Sequence, residues 1–261
     1  MTDAHDDARD RPAPGLSVTV LGSAGTYAHP GNACSGYLVR ANGTAVWVDA
    51  GPGTLAAVQE HVALADLDAV VITHEHPDHW LELPVIRNAA RYVLGIEHLP
   101  VYGTAGTRDL AAAVIGADAD PVAWTTITDG SVIEVGGLEL RFARTDHPVE
   151  TLAPVIRDER GRRIVYSADT GSGWSFEALD PGGDGFDLAL CEATLPPEHR
   201  DATQHLTGAQ AGEMAARAGV RRLVVTHLYE GTAERRVEEA SEAGDFDAPV
   251  EAALPGRTFT V

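Results

Sequence analysis

Short apolar runs separated by turn residues set the pattern of this chain. Leu16 to Leu21, Gly36 to Val39 and Ala45 to Val48 read as strands, broken by Gly/Asn turns such as Asn42-Gly43. Thr54 to Val62 reads as a helix, and an uninterrupted apolar strand, Val70-Val71-Ile72, follows it. Leu81 to Val93 and Thr107 to Ile115 have helical spacing. From Trp124 the strand pattern returns in Val132 to Val135, Leu138 to Ala143, Leu152 to Ile156 and Ile164 to Ser167. Gly136-Gly137 predicts a hairpin within the first pair, and Arg160-Gly161 one within the second. Strand Asp187 to Cys191, helix Thr207 to Ala218, strand Leu223 to Thr226 and helix Thr232 to Ala243 complete the series. Thr207 is placed to cap its helix and Gly219 to stop it in the left-handed conformation. Strands followed by helices, twice over, predict an α/β, four-layer αββα sandwich: two mixed β-sheets packed face to face and flanked by helices. Polar loops along one edge of such a sandwich converge on one site.

Composition changes the picture in three ways. At 261 residues the chain suits a single domain over 16–261 behind an acidic, proline-containing leader, 1–15, expected to be disordered. No span-length apolar run or signal segment stands out, and two cysteines, Cys34 and Cys191, imply no disulfide framework; the expectation is a cytoplasmic protein with no membrane partner. The net charge of −20 argues against a nucleic-acid partner, and the absence of any lysine rules out a phosphate-loop lysine or a Schiff base. Small anionic substrates are not excluded, because bound divalent cations invert the local field.

The candidate chemistry centres on His74-Glu75-His76-Pro77-Asp78-His79, directly after the Val70-Val71-Ile72 strand. Three imidazoles and two carboxylates in six residues suit zinc, manganese or iron rather than calcium. Pro77 is expected to keep the backbone there from continuing as a regular element. Three later residues share the same context, a ligand-type side chain just past a strand: His147, Asp169 and His227. Each alone could cap or turn the chain; together they point to a shared site. His29, His61, His98 and His199 lack that context.

The series His-x-His-x-Asp-His, then a distant His, Asp and His, resembles the metallo-β-lactamase-fold hydrolases over nearly the whole chain. The resemblance implies that His74, His76 and His147 hold one divalent cation, that Asp78, His79 and His227 hold a second, and that Asp169 bridges them. Zinc is the expected metal, with manganese or iron as alternatives. Asp49 would fix a ligand imidazole or the cluster loop from behind. Cys191-Glu192-Ala193-Thr194 and Gln204-His205-Leu206-Thr207 resemble the Glu-Ala-Thr and His-x-Thr pair of RNase Z and related phosphodiesterases, which implies catalytic roles for Glu192 and His205 beside Asp78. An ionised Glu192 bonded to His205 would raise the imidazole's pKa and make it a usable acid. The first loop, carrying Ser23 and Gly25, resembles the same branch and is a candidate substrate contact.

RNase Z carries a tRNA-gripping arm between the third histidine and the bridging aspartate, whereas His147 to Asp169 here holds only a compact strand-turn-strand. The nearer resemblance is to bacterial cyclic-nucleotide phosphodiesterases, which implies a small phosphodiester substrate and, by analogy, a homodimer. An RNase Z-like endonuclease and a non-catalytic metal-binding module stay open. So does a lactone or ester hydrolase, with Trp80, Leu81, Leu83, Trp174 and Phe176 lining an acyl pocket.

Overall fold

The computed structural model describes residues 15–116, 119–246 and 248–261; the expected leader lies almost wholly outside them. The first sheet contains β1 (Ser17–Ala24), β2 (Ala33–Cys34), β3 (Gly36–Ala41), β4 (Thr44–Val48), β5 (Ala69–Ile72), β6 (Leu99–Gly103), β7 (Val122–Thr126) and, from the far end of the chain, β15 (Thr258–Thr260). The second contains β8 (Val132–Val135), β9 (Leu138–Arg144), β10 (Leu152–Asp158), β11 (Arg163–Tyr166), β12 (Leu188–Glu192), β13 (Leu223–Thr226) and β14 (Glu251–Ala252). Their orders are β15-β1-β3-β4-β5-β6-β7, with β2 beside β1, and β14-β13-β12-β11-β10-β9-β8. Helices α1 (Thr54–Val58), α2 (Pro77–Trp80), α3 (Leu83–Ala89) and α4 (Ala105–Ile115) belong to the first half, and α5 (Gly208–Arg217) and α6 (Ala233–Ala243) to the second.

Alternation along each strand builds the layers. Val46, Val48 and Val71 face a core shared with Phe142, Ile156, Tyr166, Leu190 and Val224 of the other sheet. Their neighbours Trp47, Val70 and Ile72 pack outward under Leu83, Ile86 and Ala111 of the helices. Ala189, Cys191 and Val225 do the same under Ala211, Met214 and Ala240. Central strands buried on both faces read as unbroken apolar runs for this reason. The predicted αββα layering is the observed one.

The direction of the strands places the site. Strands β1, β4 and β5 share one direction, as do β9, β11, β12 and β13, because each antiparallel partner between them is crossed twice. A parallel bridge between Ala24 and Leu228 aligns the two sets. Seven strands therefore end at one edge. Leu152 N–H, donating to Thr73 O at 3.1 Å, ties the sheets together there.

The elements depart from the sequence expectations in a few places. The helix expected over Thr54 to Val62 ends at Val58. The one expected over Leu81 to Val93 is α3 followed by a π-helical turn, Ala90–Leu94, closed by Gly95 at φ 64°. Pro77 does not break regular structure: it opens the single turn of α2, where its missing N–H is no loss. Strands β2, β6, β7, β14 and β15 were not expected; β6 carries Pro100, and β2, β14 and β15 are only two or three residues long. Thr207 and Gln210 form the reciprocal capping box of α5, and Gly219 turns left-handed at φ 66°.

Candidate metal centre

Each residue of the cluster hangs from one of the converging strand ends. Three of these ends use a left-handed backbone without glycine: Asp49 at φ 58° after β4, Ala168 at φ 49° before Asp169, and His227 at φ 55° after β13. Such conformations cost on the order of 1–3 kcal/mol each and persist only where the surroundings demand them. Here they swing a side chain from the strand direction toward a common centre.

The structure brings together all seven residues expected to be ligands. One group is His74, His76, His147 and Asp169; another is Asp78, His79 and His227. Within each group the ligand-type atoms lie within 4.8 Å of one another. Asp169 reaches both: its Oδ2 stands 3.7 Å from His74 Nε2, 3.9 Å from His147 Nε2 and 3.5 Å from His227 Nε2, and its Oδ1 3.4 Å from His79 Nε2. Asp78 Oδ2 lies 3.6 Å from His79 Nε2 and 3.3 Å from His227 Nε2.

These separations mean something specific. Two ligand atoms at about 2.1 Å from one tetrahedral ion stand about 3.4 Å apart, longer than a good hydrogen bond. The buried Nε2 atoms of His74 and His79 and Oδ1 of Asp169 have no hydrogen-bond partner. Such orphaned atoms facing one another are costly in a protein interior unless a cation joins them. The donor set and its spacing fit divalent metal.

The opposite side of each ring is held. His79 Nδ1–H donates to Asp49 Oδ2 at 2.8 Å, and His147 Nδ1–H to the carbonyl of Gln204 at 3.1 Å. His74 Nδ1 faces Thr73 Oγ1 at 3.0 Å, and His227 Nδ1 faces Thr194 Oγ1 at 2.7 Å. These bonds fix the ring orientation that turns Nε2 to the centre. His76 differs, turning Nδ1 inward to 3.1 Å from His147 Nε2. Asp49 does not serve His79 alone. It also accepts from Thr73 N–H at 2.9 Å and from Tyr166 O–H at 3.2 Å, deep between the sheets. Thr73, Thr194 and Tyr166 escaped the sequence reading; among them only Thr194, inside Glu-Ala-Thr, carried a motif signal.

Glu192 is fully buried at the end of β12. Its Oε1 accepts from Thr170 N–H at 2.7 Å and from His205 Nδ1–H at 2.9 Å, and its Oε2 from Thr194 O–H at 2.9 Å and Leu206 N–H at 3.1 Å. Four donors on one carboxylate hold it rigid and leave His205 with one orientation. The His205 ring stacks on His227 at 5.4 Å between centroids and meets His147 edge-on at 5.3 Å. His205 also forms a ligand-type group with Asp169 and His227.

Burial and charge act against each other throughout. Burial pushes His205 down, but Glu192, by charge and hydrogen bond, and then Asp169 outweigh it and hold the imidazole up at about 9. Burial likewise opposes the charged form of His79, yet Asp169, Asp49 and Asp78 raise it to about 10. His74 falls well below its ordinary value because burial dominates there. Asp78 and Asp169 resist their own burial and sit well below the usual carboxylate range, owing to the histidines around them.

Other expected residues fall differently. Ser23 is buried, its hydroxyl donating to Ala253 O at 2.5 Å and its N–H to Asn32 Oδ1 at 3.0 Å, so it secures the first loop rather than facing the cluster. Gly25 lies against His227: a β-carbon there would come within 2.9 Å of His227 O. The acyl-pocket residues do not form a pocket. Trp80 and Leu83 belong to the core under the first sheet's helices, Trp174 and Phe176 to the core under the second's, and Leu81 is exposed. Trp174 and Phe176 also meet edge-on within their core.

Residues 44–228 match the family model described as "Beta-lactamase superfamily domain", and the chain belongs to that superfamily. Its fold is that of the metallo-β-lactamase hydrolases. The uncharacterized protein ML1173 of Mycobacterium leprae is 34% identical over 98% of this chain and 95% of its own length. Ribonuclease Z of Mycobacterium avium is 29% identical over 90% and 95% respectively. The crystal structure of the metallo-beta-lactamase fold protein YhfI from Bacillus subtilis superposes with a TM-score of 0.83 at 26% identity, covering 94% of this chain and 99% of that one. The chain is thus a metallo-β-lactamase-fold hydrolase related to ribonuclease Z, with a His/Asp cluster able to bind metal ions. Among the described residues no helix is long and apolar enough to cross a membrane.

Proposed function

We propose that this protein hydrolyses a small phosphodiester, a 3′,5′-cyclic nucleotide foremost, at a pair of divalent cations. His74, His76 and His147 would hold one ion and Asp78, His79 and His227 the other, with Asp169 within reach of both groups. Bound there, the ions supply a water of lowered pKa and polarise the phosphoryl oxygens.

The observation that carries the reading is the Glu192–His205 pair beside that cluster. A ribose oxygen leaves as a poor leaving group and needs a proton. An imidazole held at about 9 still carries one at neutral pH. Glu192 anchors Nδ1, so Nε2 is the nitrogen left to deliver that proton to the departing oxygen. Asp78 is the other polar group at hand. Its carboxyl is held well below the usual carboxylate range and stays ionised, so its part would be to ligate and to orient the attacking water by accepting its hydrogen bond, the water's proton passing to bulk solvent.

Size and charge favour a small substrate. Between His147 and Asp169 lie only β10, a tight turn and β11, with no arm to grip tRNA. The net charge of −20 repels polyanions at long range. The likeness to a ribonuclease Z keeps tRNA 3′ processing as the second reading. A panel of cyclic AMP, cyclic GMP, pre-tRNA and an acyl lactone on protein of measured metal content tests both. Turnover of a cyclic nucleotide is expected; cleavage confined to pre-tRNA, or to the lactone, would overturn the proposal.

A further inference from the structure

Two large rings at this edge take no part in the chemistry above. Tyr27 is 58% exposed and Tyr229 39%. Single exposed apolar side chains are common on any surface. These two differ in where their backbones run. Past β1 and β13 the chain continues as a parallel pair, with Leu228 N–H donating to Ser23 O at 2.9 Å and Gly25 N–H to Leu228 O at 3.1 Å. Both segments leave that pair at the edge that carries the cluster. Tyr229 is two residues beyond His227. Tyr27 directly follows Thr26, whose N–H donates to Asp78 Oδ2 at 2.9 Å.

The backbones beneath both rings are fixed. Thr26 turns left-handed at φ 68°, and Tyr27 N–H closes a tight turn onto Gly25 O at 2.8 Å. Asn32 pins the return of the loop by accepting from Ser23 N–H. The rings are thus presented by backbone that itself touches Asp78 and His227.

We propose that Tyr27 and Tyr229, carried on these two paired segments, form an aromatic platform on which the base of a nucleotide substrate stacks while its phosphodiester meets the cluster. The inference rests on the phosphodiesterase reading and adds the residues that hold the substrate's base. Stacking on tyrosine is indifferent to the protein's negative field and tolerant of base identity, favouring the larger face of a purine. Tyr27 and Tyr229 are then specificity-determining and bear no part of the bond cleavage.

Steady-state kinetics on the metal-loaded full chain compare cyclic AMP with ribose 3′,5′-cyclic phosphate, which lacks the base. Tyr27→Ala is expected to raise KM for cyclic AMP about tenfold at nearly constant kcat. It should leave the base-free diester unaffected, while Tyr27→Phe keeps wild-type values. Tyr229→Ala should act in the same direction, more weakly. Equal handling of both diesters by the wild type, or an unchanged KM ratio in Tyr27→Ala, overturns the platform and leaves the hydrolase reading intact. Failure of the wild type to cleave either diester overturns the phosphodiesterase reading itself, and the platform with it.

Discussion

Replacing Glu192 with glutamine tests the proton donor most directly. The Glu192 carboxylate, with Asp169 helping, lifts His205 from an ordinary imidazole value to about 9 in spite of burial. At roughly 1.4 kcal/mol per tenfold, that is roughly 3 kcal/mol in favour of the protonated ring. The sign follows from the direction of the shift. A donor must be protonated, so activity holds below about 9 and falls as pH rises through it. In Glu192→Gln the charge is gone while burial stays, and the alkaline limb moves down to or below about 6.5. At pH 8 the protonated fraction then drops from about nine tenths to about three hundredths, a loss of about thirtyfold in kcat. At pH 6 the loss should be only a few-fold. The same shift bears on the fold: the pair's contribution to stability is full below the unfolded imidazole's pKa and is lost as pH rises through about 9. Glutamine also disturbs the four donors that meet this carboxylate, which costs on the order of 1–3 kcal/mol, so melting curves at each pH must show the variant folded. The assay is the pH profile of kcat for cyclic AMP with metal content measured in parallel. A folded, metal-loaded Glu192→Gln whose alkaline limb stays where the wild type has it would refute the reasoning.

Other outcomes follow from the same geometry. His205→Ala should lower kcat by about 10²–10⁴ with bound metal unchanged; parallel loss of metal would instead make His205 a ligand, as its grouping with Asp169 and His227 permits. Asp169→Ala should leave the protein unable to retain its cations, read by elemental analysis after gel filtration; a variant with full metal and full activity would dismiss the bridging role. Chelation of the wild type should abolish turnover and lower the melting temperature, because orphaned Nε2 atoms of His74 and His79 would face one another again. Asp49→Asn removes the charge behind His79 and weakens the bonds to Thr73 and Tyr166. A fall in melting temperature of roughly 5–10 °C is expected by calorimetry; an unchanged melting curve would show that Asp49 is not the anchor described above.

Much of this protein is determined by its sequence alone. The unbroken apolar runs Ala45 to Val48 and Val70 to Ile72 mark strands buried on both faces, and hence the layering. The hexapeptide His74 to His79 announces its chemistry because its ligands are neighbours in the chain. His147, Asp169 and His227 are legible only as a repeated context, a polar residue past a strand. What brings them within 3.7 Å of the hexapeptide's side chains is that their strands share a direction and end at one edge, which is a property of sheet order. The bonds that aim the rings were invisible: Thr73, Gln204 and Tyr166 look like ordinary strand and loop residues until folding sets them behind an imidazole. The acyl pocket failed for the complementary reason, since composition cannot tell a tryptophan lining a cleft from one filling the layer between helix and sheet. Sequence periodicity records which face a residue turns to, because that is local and repeats every second position. Which distant residue it meets depends on strand order and direction, and those exist only once both sheets have closed on their common core.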